Sequence, residues 1–437
     1  MLHMDTARTQ AIDTLKNILI GKGRKTRIVL IDDIFGRLRA IVWASKKDWE
    51  KLKSEIPHGL REKAGQYWSD EVWNASAADD ADRQVQDLAW EQGTEVVPGK
   101  LRILDRHRSR GAWLQSLTEP PWPCRHTRRR REPAILVFYS FKGGVGRSTA
   151  LASYAIHCAR RGERVVVIDG DLDAPGVGSL LAADTDGTTA DWGLADYLLE
   201  RPFGEVDLRD YYHACRRETV TGKGELLVIP AGRVDEAYLG KLARLDLEPP
   251  PQDQAAHPLR TLLENVRCEL EPSWILLDVR SGLSDPAGLF LEGLAHLHVL
   301  FGTFSEQSWH GIRVLLRRFG ADRIEQGRPQ VDCLLVHAMV PRETELFRQA
   351  TEAFAERALD EFTDHYYAAD EAGREAEGLW TVSDAQGSDA PHVPVPLPYE
   401  VRLAHFNVID DVADLLHDAP DYRNLAGRIR SRFGGGD

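Results

Sequence analysis

The chain has 437 residues, 43 % hydrophobic content and a formal net charge of −13. That is enough apolar material for two or three domains with cores of their own, and the acidic balance argues against wholesale nucleic-acid binding while allowing a local basic patch. Cys124, Cys158, Cys215, Cys268 and Cys333 stand singly with no C-x-x-C pair, which fits a reducing cytoplasm and offers no disulfide framework, zinc site or iron–sulfur site.

The opening stretch, MLHMDTARTQAIDTLKNILIGKGRK, lacks the apolar core and cleavage site of a signal peptide, and no apolar run approaches a membrane span. The expectation is a cytoplasmic protein. Trp43, Trp49, Trp68, Trp73, Trp90, Trp113 and Trp122 crowd the early part of the chain, among short and weakly periodic segments. Residues 1–118 are read as a smaller N-terminal domain, α/β or α+β. Within it, TRIVLIDDIFGR is an apolar strand ending in Asp32 and Asp33. It resembles the acidic pair on the first strand of response-regulator receiver domains, where such acids bind Mg²⁺. No second strand with a phospho-accepting aspartate is evident, nor the later lysine. A degenerate receiver-like module and plain capping of the next turn by the two acids both stand.

TEPPWPCRHTRRRREPA, spanning the boundary at residues 119–133, is rich in proline and arginine and reads as an exposed linker. The run Arg128 to Arg131 is either a solvated tether or a contact for DNA, RNA or anionic lipid. From residue 134 onward, strand and helix patterns alternate. AILVFYS, RVVVIDGD, GELLVIPAG, SWILLDVRSG, AHLHVLFGTF and VDCLLVHAMVP are apolar runs of the kind buried on both faces of a parallel sheet. STALASYAIHCARRG is helical in pattern and stops at Gly162, a C-cap. The fold class expected for residues 134–437 is α/β, a doubly wound and mostly parallel sheet.

FYSFKGGVGRSTALA, residues 138–152, joins a strand to a helix through glycines. Backbone N–H groups converging at a helix N-terminus bind phosphate, and only glycine lets the chain approach closely enough. Gly143, Gly144 and Gly146 meet that need, with Val145 and Thr149 beside them, and Ser148 offers a hydroxyl for Mg²⁺. The position where a phosphate loop carries lysine holds Arg147, and a lysine stands earlier, at Lys142.

KGGVGRST resembles the deviant Walker A motif, K-G-G-x-G-K-[ST], of the ParA/MinD group of P-loop ATPases; a subgroup of bacterial signalling and conflict-system proteins has the same KGGVGR[ST] form. The resemblance covers roughly residues 133 to 430. It implies ATP and Mg²⁺ as ligands and a homodimer closed across the nucleotide, with Lys142 reaching the partner's phosphates. It implies that Arg147 takes the place of the in-cis lysine, keeping the charge but presenting a planar fork on a longer stem.

VVVIDGDLDAPG falls on the family's D-x-D motif at Asp169 and Asp171, with Asp171 implied to orient the attacking water. The alternative is that both acids cap the next helix. Asp173 has no assigned role. WILLDVRSGLSD falls on the Walker B strand, so Asp278 is implied to hold Mg²⁺ with Ser148, and Arg280, Ser281 and Gly282 to form the γ-phosphate-sensing turn. His337 stands where an asparagine often reads the base, and the proline-rich VPVPLPYE is implied to close the base pocket; both are equally open as surface connections.

YRNLAGRIRSRFGGGD puts Leu425, Ile429 and Phe433 on one helical face opposite arginines. This face either packs on its own domain or lies on a membrane, as the basic C-terminal helix of MinD-like proteins does. The functional expectation is a slowly hydrolysing, nucleotide-dependent dimerising switch, a regulatory component of a bacterial signalling or defence system, with a protein partner engaged through the N-terminal domain. The alternative is a nucleotide-binding scaffold without turnover.

Overall fold

The structure, a computed structural model, describes residues 2–23, 25–33, 36–106, 119–124, 132–182, 192–245, 247, 257–370 and 379–434. It divides into two compact units, Met1–Ser109 and Arg110–Asp437.

The first unit is a five-stranded mixed sheet. Its strands are β1 (Arg27–Asp32), β2 (Leu38–Trp43), β3 (Trp68–Asn74), β4 (Thr94–Val97) and β5 (Leu101–Asp105), in the order β3-β2-β1-β5-β4. Strand β1 runs antiparallel to β2 and parallel to β5, and β4 is antiparallel to β5. Helices α1 (Met4–Leu19) and α2 (Lys46–Ala64) cover one face, where Ala7, Ala11 and Leu15 meet Leu52, Ile56 and Leu60. Helix α3 (Asp80–Gln92) lies on the other face, where Ala89 and Trp90 join Val29 and Trp43. A receiver domain has the doubly wound 2-1-3-4-5 order, so the receiver-like expectation is corrected here. The acids take the structural role. Asp33 accepts from the Arg37 amide at 2.9 Å and pairs with Arg39 at 2.6 Å, while Asp32 is buried.

The second unit is built on an eight-stranded sheet. Strands β6 (Ala134–Ser140), β7 (Arg164–Gly170), β8 (His213–Ala214), β9 (Glu225–Ile229), β10 (Trp274–Val279), β11 (Leu297–Gly302), β12 (Cys333–Val340) and β13 (Val395–Pro398) take the order β13-β12-β11-β6-β10-β7-β9-β8. All pairs are parallel except β8 with β9. The continuous apolar runs are explained by burial on both faces. In β6, Ile135, Val137 and Tyr139 enter one core while Ala134, Leu136 and Phe138 enter the other. Helix α4 (Arg147–Arg160) packs in the second of these cores, and Gly162 ends it in the left-handed region at φ 86°. The doubly wound expectation therefore holds for this unit.

One residue of the stretch read as an exposed linker is docked, and the C-terminal helix takes the packed one of its two readings. Trp122 is 5 % exposed, its indole N–H donates to the Pro133 carbonyl at 2.8 Å, and the Arg267 guanidinium lies 5.0 Å over its ring. The exposed-linker expectation is therefore corrected at Trp122, because one indole is worth more buried than solvated; Arg128 to Arg131 lie outside the described residues. At the other end, helix α5 (Pro420–Ser431) spends its apolar face on the domain, with Leu425 and Ile429 buried and Arg430 paired to Glu163 at 2.8 Å. Among the described residues no helix is long and apolar enough to cross a membrane.

Candidate phosphate-loop and cation site

The loop 141–146 leaves β6, the fourth strand from the β13 edge of the sheet, and enters α4 directly. Gly144 and Gly146 have φ of 73° and 83°, so both need glycine for their backbone conformation. Gly146 is the N-cap of α4, and with no capping side chain the first amides of the helix are left to a ligand. Lys142 is exposed and, among the described residues, makes no hydrogen bond or ion pair. Val145 is buried beneath the loop, as an anchor.

Asp278 and Asp171 meet at this helix start, and Asp169 stands opposite Asp278 across the β7–β10 pair. Asp278 is 1 % exposed and its carboxyl is pushed up by burial, an effect that the Arg147 guanidinium and the Ser148 hydroxyl oppose. Ser148 donates to Asp278 Oδ2 at 2.5 Å. Arg147 is 9 % exposed; its Nε donates to Asp278 Oδ1 at 2.7 Å and its Nη2 to Asp171 Oδ2 at 3.1 Å. Asp171 Oδ1 accepts from the Ala174 amide at 3.1 Å.

Asp169 does a different job from Asp171. It is fully buried and accepts from three backbone amides: Asp171 at 3.2 Å, Gly176 at 3.1 Å and Gly178 at 2.9 Å. Burial, with Asp278 nearby, pushes its carboxyl up to about 7, against the pull of those amides. Of the two readings of the D-x-D pair, helix capping describes Asp169, while Asp171 faces the loop. The nucleotide-contact expectation for Asp169 is corrected accordingly: both its oxygens are spent on its own loop.

The turn after β10 is tied to both sides of the site. Gly282, at φ 81°, donates its amide to the Ser140 carbonyl at 3.3 Å, and its own carbonyl accepts from the Tyr139 hydroxyl at 3.1 Å. Arg280 Nη1 lies 2.9 Å from Asp173 Oδ2, which gives Asp173 the partner the sequence did not. Ser281 Oγ lies 3.4 Å from where a Cβ on Gly143 would stand, bringing the turn after β10 close to the loop.

A cavity of about 260 Å³ opens beside the loop. Gly144, Gly146 and Thr149 line it together with Met339, Leu397, Tyr399, Glu400 and Tyr422. Glu400 is held down by hydrogen bonds from Arg402 and also by the charge of Arg342, whose Nη2 is 3.0 Å from it. His337 is not in this wall, and its base-reading assignment is corrected. Its ring stacks on Phe354 at 3.9 Å between centroids and 4° between planes, 3 % exposed in the core. Two residues on, the β12–β13 register shifts and Met339 takes a φ of 62°, which turns that residue toward the cavity. A bulge is not visible in residue periodicity, so Met339 was missed; Leu397 to Glu400 of the proline-rich segment line the same cavity.

No protein-family description matches the chain, and no curated protein matches it. Solved structures do resemble it. A putative plasmid partition protein from Borrelia burgdorferi, described as bound to AMPPNP, is 13 % identical over 69 % of this chain and 100 % of its own, with a TM-score of 0.44. The pNOB8 ParA, described as bound to nonspecific DNA, is 17 % identical over 70 % of this chain and 100 % of its own, with a TM-score of 0.43. The septum site-determining protein MinD from Pyrococcus horikoshii, described as complexed with Mg-ADP, is 16 % identical over 69 % of this chain and 93 % of its own, with a TM-score of 0.39. This chain is similar to them; at these scores its site is read from its own residues.

The oxygens of Ser148 and Asp278 suit a hard divalent cation, and the guanidinium drawn onto the acids shows that the position calls for positive charge. Ser148 and Asp278 are the residues that would hold such a cation.

Proposed function

We propose that this chain is an ATP-binding, slowly hydrolysing switch of the ParA/MinD type that dimerises across its nucleotide and serves a bacterial signalling or defence system. The observation that carries this reading is the convergence of Ser148, Asp171 and Asp278 on the N-terminus of α4, behind a glycine loop that leaves Lys142 exposed. Loop amides and the helix dipole bind phosphate. Arg280 and Ser281 sit on a turn fastened to β6, poised to respond to a γ-phosphate. Lys142 points no charge at its own acids and is free to serve a second copy. When bound, Mg²⁺ supplies charge neutralisation on the phosphate oxygens. Asp171 is the acceptor that orients a water once Arg147 has left it.

The cavity walled by Met339, Leu397 and Tyr422 takes the base, and the N-terminal unit engages a protein partner. Contact with nucleic acid or a membrane surface is a lesser reading. The test is sedimentation velocity with and without a non-hydrolysable ATP analogue, with phosphate release from wild type and Asp171→Ala. A nucleotide-dependent dimer, lost in Lys142→Ala, is expected; a chain that stays monomeric at saturating analogue would sink the reading.

A second reading is a nucleotide-binding scaffold without turnover. What favours it is Arg147 itself, whose guanidinium engages both acids that hydrolysis requires. Wild type releasing phosphate no faster than Asp171→Ala would select this scaffold.

A further inference from the structure

One side chain answers for the whole cation position. The Arg147 guanidinium reaches Asp278 at 2.7 Å, Asp171 at 3.1 Å and Ser148 Oγ at 3.3 Å, while 9 % exposed. Two neighbouring buried carboxylates cannot both stay ionised without a positive partner. A guanidinium suits this place better than an ammonium, because it does not lose its proton and its separate N–H edges serve two acids at once. It is also attached to the first residue of α4, beside the loop amides where phosphate would sit.

We propose that Arg147 is a tethered counter-cation. It neutralises Asp171 and Asp278 in the ligand-free chain and competes with a divalent cation for the same oxygens. The cation enters only when an incoming phosphate gives the guanidinium a new partner. Metal and nucleotide then load together, and metal alone is turned away. The coupling is reciprocal, since a phosphate that draws Arg147 off the acids favours the cation as much as the cation favours the phosphate. This deepens the reading of the nucleotide site given above and rests on it.

The experiment is Mn²⁺ binding to the full chain, followed by electron paramagnetic resonance, first without nucleotide and then with a non-hydrolysable ATP analogue. Wild type is expected to bind Mn²⁺ weakly alone, and Arg147→Gln at least about tenfold more tightly, an ordinary size for coupling between sites. The gain should vanish in Arg147→Gln with Asp278→Asn. The analogue should tighten Mn²⁺ binding in wild type more than in Arg147→Gln. Equal Mn²⁺ affinity in folded wild type and Arg147→Gln would overturn the proposal, as would an equal effect of the analogue on both. An Arg147→Gln chain that folds only with Mn²⁺ present supports it. If that chain does not fold at all, Arg147→Lys decides: tighter Mn²⁺ binding than wild type supports the tether, and unchanged binding overturns it. Binding of a fluorescent ATP analogue, measured in parallel without metal, separates failure of the nucleotide reading from failure of this one.

Discussion

Arg280 Nη1 lies 2.9 Å from Asp173 Oδ2, joining the turn after β10 to the acidic loop after β7. Both side chains are about one-third exposed, at 35 % and 39 %. A pair this wet contributes little to stability, within about 0.5 kcal/mol. Its consequence is conformational, because the two loops that flank the phosphate position cannot move apart while the pair holds.

Breaking that pair from the acidic side should free Arg280 for an incoming phosphate. Asp173→Ala is expected to leave the melting temperature nearly unchanged and to tighten binding of a fluorescent ATP analogue by about twofold, within the range of a surface ion pair. Arg280→Ala should weaken that binding instead. If both variants shift affinity in the same direction, the pair does not act as a tie.

The cavity gives a sharper contrast. Ala404 is exposed and lines it, whereas His337 is buried against Phe354 outside it. Ala404→Trp should fill the space and weaken nucleotide binding by at least about tenfold, roughly 1.4 kcal/mol, with little effect on stability. His337→Phe should leave affinity where it was. Equilibrium titration with the fluorescent analogue measures both, and an affinity loss confined to His337→Phe would return the base-reading role to that histidine.

Asp169 and Asp171 divide structure from chemistry. Removing the Asp169 carboxylate strands the buried amides of Asp171 and Gly178 and leaves that of the exposed Gly176 to solvent. Asp169→Ala should therefore cost about 2–4 kcal/mol in urea unfolding, the scale of buried unsatisfied donors. Asp171→Ala leaves Arg147 its contact with Asp278, so it should cost less and abolish phosphate release. Equal stability losses in the two variants would show that the capping contacts are not what holds the loop.

The second unit was legible because its chemistry is local. A glycine loop between a buried strand and a helix is written in consecutive residues, and Asp278 ends an apolar run that only a central strand explains. What the residues did not show depends on distant partners. Arg147 pairs across 131 positions with Asp278, and Met339 enters the cavity through a bulge set by β13. Trp122 is held by Arg267 and His296, both far along the chain, so its docking is not visible in the residues around it. The N-terminal unit misled for a related reason. An apolar strand ending in two acids is compatible with several topologies, and the antiparallel return of β2 is decided by pairing rather than by composition.

Acid should loosen the fold through histidines buried neutral. Burial holds both His298 and His337 down to about 4, below the ordinary 6.5. Between those values the unfolded chain takes up the proton and the folded chain does not, so stability is present above about pH 6.5 and falls as pH drops toward 4. Each group should cost about 1–2 kcal/mol by pH 5. Asp169, pushed the other way to about 7, gives the opposite slope over part of this window, losing stability as pH rises. The comparison that isolates one histidine is therefore variant against wild type. His337→Phe keeps a flat ring against Phe354 and removes the titrating nitrogen. Urea unfolding at pH 7.5 and pH 5 should show the drop in stability shrinking by about 1–2 kcal/mol in that variant. An unchanged drop would mean that the His337 ring gains its proton without leaving Phe354, and that its burial does not set the acid limb.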